Sequence, residues 1–138
     1  MGELEEFLAT GLKQQIDADF AIHDGDPEPR MALWSHTEPV TVFGAAVPLV
    51  SGWPELEETF RWLATRFSRS KAFDVELVAA GVSGDLAYTV GFEHSEYSFE
   101  GGPVRPATLR VTHIYRREDG EWRIVHRHGD HPPVDERP

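Results

Sequence analysis

The sequence contains no cysteine and few basic residues for its length. Of its 138 residues, 13 are lysine or arginine and 24 are aspartate or glutamate, which gives a formal charge of −11. The absence of cysteine excludes disulfides, thiol nucleophiles and cysteine-bound zinc. Because acidic residues repel nucleic-acid phosphates and anionic lipid headgroups, we expect neither nucleic acid nor membrane as a partner.

The sequence also lacks a long apolar run. No stretch approaches the roughly 18 apolar residues of a membrane-spanning helix, and the acidic N-terminus lacks the charged start and apolar run of a secretion signal. We therefore expect a cytoplasmic protein. The length fits one compact domain, predicted over residues 1–130, followed by a flexible tail, residues 131–138, that contains three prolines.

Apolar periodicity predicts three helices in the first half of the chain. The first is expected over residues 3–23, because apolar residues recur there at every fourth position. Asp26 is placed to cap a short second helix that reaches Trp34, and a third helix begins at Pro54 and ends near residues 68–71. The apolar stripe of the first helix consists of Leu4, Leu8, Leu12, Ile16 and Phe20.

The rest of the chain is rich in strands. Short strands are predicted at residues 40–43 and 47–50, and four long strands joined by tight turns follow the third helix. Helices followed by hairpins favour an α+β fold with helices in the concave face of a curved antiparallel sheet, and disfavour a parallel βαβ arrangement. The long strands are predicted over residues 73–82, 86–98, 104–117 and 121–128.

Alternation divides each long strand into two faces, and we expect the bulkier, more apolar face to point inward. A two-residue turn at Asp119-Gly120 would place His113 opposite His126. A three-residue loop would shift this register by one residue, but the first register keeps the apolar side chains together. The inward set then includes Tyr88, Val90, Phe92, His94, His113, Tyr115, His126 and His128.

Four histidines on the inner face would form an unusual cluster. Imidazole is well suited to proton transfer near neutral pH, so the cluster indicates a functional pocket. Taken singly, each histidine could instead be an ordinary hydrogen-bonded core residue. A third interpretation is zinc binding by His126, His128 and a histidine of the neighbouring strand, although no acidic residue is placed to orient each ring.

The order of elements and the segment from Arg110 to Asp130, with its Asp-Gly-Glu-Trp-Arg-Ile-Val-His-Arg-His core, resemble a known family. The chain is similar to SnoaL-like domains of the nuclear-transport-factor-2-like superfamily, which also contains ketosteroid isomerases, scytalone dehydratase and the association domain of calmodulin-dependent kinase. The resemblance implies a conical α+β barrel around a pocket, commonly dimeric through the outer face of the sheet.

Individual residues match the functional positions of these relatives only in part. Glu38-Pro39-Val40 resembles the segment that carries the carboxylate base of steroid isomerases, which makes Glu38 a candidate base. Those enzymes also use a tyrosine of the first helix, and the first helix here contains none, which weighs against steroid isomerisation. The pocket arginines of the kinase association domain match Val90, His113 and Gly129, of which only His113 is polar.

We therefore expect a pocket for a small hydrophobic, carbonyl-bearing molecule in a domain that forms homodimers. As an enzyme it would use acid/base chemistry without a cofactor, with His113, His126 and Glu38 as catalytic candidates. The alternative is a non-catalytic ligand-binding or dimeric assembly module, because the superfamily hosts both kinds of protein. The predicted pocket residues are Trp34, Tyr88, Val90, Phe92, His94, Tyr115 and His128.

Overall fold

A computed structural model describes residues 2–138. The chain folds into an α+β domain in which the helices lie against one face of a six-stranded sheet. None of the helices in the described residues has the length and hydropathy needed to span a bilayer. The helices are α1, a continuous helix with segments Glu3–Phe7, Leu8–Leu12 (π-helical) and Lys13–Ile22, then α2 (Glu28–Leu33) and α3 (Trp53–Arg66).

The sheet has the order β2-β1-β6-β5-β4-β3 and is not closed into a barrel. All neighbouring strands are antiparallel except β1 and β6, which are parallel. The predicted fold class is confirmed, although β3 begins directly after α3, earlier than expected. The strands are β1 (Thr41–Phe43), β2 (Val50–Ser51), β3 (Phe67–Ser83), β4 (Leu86–Phe99), β5 (Val104–Glu118) and β6 (Glu121–Asp130).

Helix α1 packs on the sheet through a different stripe from the obvious apolar one. At the ends of the predicted stripe, Leu4 is 38% exposed and Phe20 is 40% exposed. At Gly11 the helix approaches the sheet closely, since a Cβ there would lie 3.4 Å from Cβ of Trp122 in the sheet. The side chains that α1 buries are Phe7, Gln15, Ala18, Asp19 and Ile22, so two polar residues enter the interior.

The inner face of β4 is the one opposite to our prediction. Pairing with β5 places Ala87 beside Tyr115, Thr89 beside His113 and Glu93 beside Leu109. Because paired residues point to the same side of a sheet, these β4 residues face inward with the apolar face of β5. The bulkier set lies outside: Tyr88, Val90, Phe92 and His94 are exposed or only partly buried.

A β-bulge changes the register of the last hairpin. The two-residue turn and the pairing of Tyr115 with Ile124 are confirmed, but Ile114 pairs with His126 instead of the predicted His113. The extra residue is Val125, which packs against the core. A bulge of one residue reverses the faces beyond it. Consequently His126 and His128 point outward, and Arg127 enters the interior beside His113.

Candidate functional site

The interior of the domain contains a cluster of charged side chains that α1, α2, β4 and β6 bring together. Asp19 of α1 accepts hydrogen bonds from Nε and Nη2 of Arg30, at 3.1 Å and 2.7 Å. Gln15 donates to Asp19 and to Glu93, joining α1 to β4. Burial opposes ionisation of Asp19, but Arg30 and Arg127 hold the pKa of its carboxyl well below the usual value. Asp19 is therefore an anion.

The second half of this cluster is a buried pair between Arg127 and Glu93. Arg127 donates from Nη1 and Nη2 to the two carboxylate oxygens of Glu93, at 2.7 Å and 2.8 Å. Its Nη1 also lies 3.6 Å from Asp19 Oδ2. Burial raises the pKa of Glu93, and Arg127 acts in the opposite direction. Two arginines and two carboxylates thus form one connected network inside the domain.

His113 borders this network. The Nη1 of Arg127 lies 3.1 Å from His113 Nε2, a distance that fits donation from the guanidinium to a neutral imidazole. Burial, followed by the nearby positive charge of Arg127, holds the pKa of His113 well below its ordinary value. The side chain lies inside, as predicted, but it borders a space of only about 10 Å³ and does not line the large cavity.

A cavity of about 470 Å³ opens next to the charged cluster, between α3, the loop that joins β1 to β2, and the inner face of the sheet. Arg30 and Arg127 line the side nearest the cluster, while Arg66 and His131 also contribute to the wall. Most of the remaining wall is apolar. The apolar and aromatic lining residues are Val42, Val47, Phe60, Leu63, Phe67, Tyr97, Phe99 and Leu109.

His23, at the C-terminus of α1, also lines this cavity. Its ring stacks on Tyr97 with 4.2 Å between ring centroids and contacts Phe67 edge-on at 5.1 Å. The Nδ1 atom is buried and has no hydrogen-bond partner within residues 2–138. Burial lowers the pKa of His23 to about 4, so the ring is neutral near neutral pH. A neutral imidazole can both donate and accept a hydrogen bond.

The predicted histidine cluster is not present. His126 lies on the outer face, where its Nδ1 contacts Thr41 Oγ1 at 2.7 Å. On the same face His94 contacts Glu76 at 2.9 Å, and His128 lies 3.7 Å from Asp130. The proposed zinc set is therefore wrong, because His113 points inward while His126 and His128 point outward.

Glu38 lies in the loop before β1, and its side chain reaches the first residue of α3, away from the cavity. Its Oε1 accepts a hydrogen bond from the backbone N–H of Trp53 at 2.8 Å, and its Oε2 accepts one from Val40 at 3.3 Å. The first N–H groups of a helix have no partner within the helix, so this carboxylate caps α3. The observed contacts of Glu38 are structural; a catalytic role remains a prediction.

The predicted pocket residues occupy two other places. Trp34 and Tyr115 belong to the hydrophobic core, where Trp34 packs on Phe60 and Tyr115 on Phe7. The others lie on the outer face of the sheet, because β4 presents its bulky side outward and β6 changes face at the bulge. A shallow outer hollow of about 380 Å³ includes Val90, Phe92 and His128; Tyr88 and His94 lie on that same face.

A group of three potential metal ligands lies within the charged cluster. Ligand atoms of Asp19, Glu93 and His113 are all within 4.8 Å of one another. However, Arg30 and Arg127 already bind the two carboxylates. A metal cation would have to displace these guanidinium groups or lie against their positive charge, so the arrangement fits an ion-pair network better than a metal centre.

The residues that sequence reasoning missed are His23, Arg30 and Arg127 on the cavity wall, and Asp19 and Glu93 behind them. The side-chain alternation predicts outer positions for Glu93 and Arg127; β4 instead turns its bulkier face outward, and the bulge in β6 turns Arg127 inward. One signal was available in α1, where Gln15 and Asp19 share a helical face with Phe7 and Gly11. The bulge at Val125 had no recognisable sequence signal.

Comparisons with known proteins match this architecture. The family model described as a SnoaL-like domain matches residues 17–134, and a search of curated proteins found no match. A nuclear transport factor 2-like superfamily protein from Salmonella enterica serovar Typhimurium has a TM-score of 0.76 at 20% identity, over 97% of this chain and 96% of that chain.

Two further solved structures carry more specific descriptions. A candidate dehydratase of the NTF2-like family from Streptomyces avermitilis has a TM-score of 0.70 at 20% identity, with 90% of this chain and 94% of that chain covered. A candidate ketosteroid isomerase from Parabacteroides distasonis has a TM-score of 0.67 at 19% identity, with 90% of this chain and 87% of that chain covered. At such low identity these structures establish the fold alone, whereas the family model covers most of the sequence. The chain belongs to the SnoaL-like domain family.

Proposed function

We propose that the protein binds a small organic molecule in the 470 Å³ cavity and acts on it as a cofactor-independent acid/base enzyme. The observation that supports this proposal most directly is the composition of the wall, which is apolar over most of its area and carries His23, Arg30 and Arg127. Ligand pockets commonly combine apolar walls with a few polar groups that orient the ligand. The descriptions of the dehydratase-like and isomerase-like neighbours agree with this class of function.

Within this proposal His23 transfers the proton. Its imidazole is neutral near neutral pH and lines the cavity. It would accept a proton from one atom of a carbonyl-bearing substrate and return it to another, while the arginines orient the polar end of the substrate. His113 would act indirectly, since it contacts Arg127 and lies outside the cavity wall.

The binding function can be tested by filling the cavity. Ala107 lines the wall, so Ala107→Phe would occupy space that a ligand needs. Ala79→Phe introduces the same side chain at an exposed position and serves as the control. In a thermal-shift screen of carbonyl-bearing aromatic and aliphatic compounds, we expect ligands that raise the Tm of the wild type and of Ala79→Phe but not that of Ala107→Phe. Equal shifts in both variants would place binding outside the cavity.

The acid/base step is tested with a compound that binds. We expect NMR spectra of the incubated compound to show conversion by the wild type and by His128→Gln, whose substituted side chain lies on the outer face. His23→Gln keeps a polar side chain that cannot transfer a proton, so its rate should fall by about 10²-fold or more. An unchanged rate in His23→Gln would assign proton transfer to another group.

A second candidate function is assembly of a homodimer through the outer face of the sheet. Several apolar side chains are exposed there, including Val78 at 63%, Leu86 at 53% and Ile114 at 37%. Exposed apolar patches on a sheet commonly mark a protein interface. Light scattering should therefore detect a dimer that Val78→Glu weakens, while Val134→Glu in the exposed C-terminal segment leaves it intact. A wild-type monomer at high concentration would refute this candidate.

A further inference from the structure

The charge of the cavity wall is opposite to the charge of the protein. The chain carries a formal charge of −11, yet three arginines line the cavity, and none of its described lining residues is aspartate or glutamate. The carboxylates of Asp19 and Glu93 lie behind Arg30 and Arg127, on the side away from the cavity lining. Each ion pair thus presents its positive end to the cavity.

The two inner arginines retain donors that their carboxylate partners do not use. Arg30 bonds to Asp19 through Nε and Nη2, which leaves its Nη1 without a hydrogen bond inside the described chain. Arg127 bonds to Glu93 through Nη1 and Nη2, which leaves its Nε similarly available. Both residues line the cavity, which makes these donors candidates for binding a ligand there.

These guanidinium groups are close neighbours. Arg30 binds one oxygen of Asp19, and Arg127 approaches the other oxygen at 3.6 Å. Hydrogen bonds between arginine and a carboxylate are stronger than neutral ones and suit the planar shape of both groups. They gain further strength where apolar walls exclude water. Leu63, Phe67 and Leu109 provide such walls.

We propose that the ligand of this cavity is a small organic acid, whose carboxylate binds Arg30 and Arg127 and whose hydrocarbon body lies against the apolar wall. This inference rests on the proposed binding function and specifies its ligand class. It differs from the sequence-based expectation, in which the recognised group was a carbonyl. The negative charge of the protein disfavours anions elsewhere on its surface, so the arginine-lined cavity is the place where an acid gains most.

Matched pairs of acids and amides test the charge requirement. The probes are benzoate, 2-naphthoate and octanoate, each compared with its neutral primary amide by titration calorimetry at pH 7. We expect at least one acid to bind about tenfold or more tightly than its amide, because a charge-assisted hydrogen bond contributes more than a neutral one and tenfold corresponds to about 1.4 kcal/mol.

A pair of isosteric variants tests the location without disturbing the buried ion pairs. Leu63 lies on the cavity wall, so Leu63→Glu adds a negative charge there and Leu63→Gln adds a neutral side chain of the same shape. We expect Leu63→Glu to weaken acid binding about tenfold or more relative to Leu63→Gln, while amide binding is equal in the two variants. Circular dichroism spectra and Tm values identify any variant that has not folded.

The outcomes separate this inference from the proposed function. If amides bind as tightly as acids and Ala107→Phe abolishes both, the cavity binds ligands but the requirement for an acid is wrong. If acids bind preferentially but Leu63→Glu and Leu63→Gln do not differ, the carboxylate lies elsewhere and the inference is again wrong. If no acid or amide binds to the folded wild type, the result counts against both proposals.

Discussion

Replacement of His23 should change how the stability of the domain depends on pH. Burial between Phe67 and Tyr97 lowers the pKa of His23 to about 4, compared with 6.5 for an unperturbed histidine. The unfolded chain therefore binds a proton at this side chain at a higher pH than the folded chain does. The stabilising contribution of neutral His23 is complete above pH 6.5 and is lost progressively as the pH falls towards 4.

The size of this effect follows from the two pKa values. For a single group that titrates at 6.5 when unfolded and near 4 when folded, the free energy of unfolding should decrease by about 2 kcal/mol between pH 7 and pH 5. His23→Gln removes the titrating group and retains a polar side chain. Between pH 7 and pH 5 the variant should therefore lose about 2 kcal/mol less of its free energy of unfolding than the wild type loses. This difference does not depend on the stability of the variant at pH 7.

Urea denaturation of both proteins at pH 7, 6 and 5 measures this difference. The other titrating groups, including His113 and Glu93, are present in both proteins, so their contributions cancel in the comparison. The NMR signals of His23 should also show that it remains neutral at pH 5 in the folded wild type. A wild-type-minus-variant difference that is constant with pH would refute the assignment of His23 as a buried neutral imidazole.

Three further substitutions test other parts of the structure. Glu93→Gln should lower the free energy of unfolding by about 3–5 kcal/mol in urea denaturation, because it leaves Arg127 buried without its anionic partner; a loss below about 1 kcal/mol would contradict a buried ion pair. Glu38→Ala should cost about 1 kcal/mol and leave ligand titrations unchanged, since its carboxylate caps α3. Gly91→Ala should lower Tm, because a Cβ would lie 2.4 Å from the carbonyl oxygen of Glu76; an unchanged Tm would show that β3 and β4 are not so close there.

Element type and order were predictable where local signals were strong. Pro54 and the acidic residues after it begin α3 near the expected position, and the Asp119-Gly120 turn joins β5 to β6 as predicted. These features depend on residues adjacent in the chain, through helix caps, turn conformations and periodic apolar residues. The α+β fold class follows from them because helices precede hairpins.

Which face of each strand points into the interior was less predictable. Apolar bulk predicts Phe92 and His94 inside, whereas the pairing of β4 with β5 puts both on the outer face. Glu93 can then be buried only because Arg127 and Gln15 reach it from distant parts of the chain. A rule that places charged residues outside therefore fails at a satisfied ion-pair network.

By itself, the sequence determined a cysteine-free α+β domain, its helices, its hairpins and their order, because these depend on local conformational preferences. Only the tertiary structure decided which side chains share the interior. A one-residue bulge turned Arg127 inward in place of His126, and the packing of α1 brought Asp19 within 3.6 Å of Arg127 and His23 onto the same cavity wall. Such choices depend on register and on contacts between distant segments, whose energies are not encoded in any short stretch of the chain.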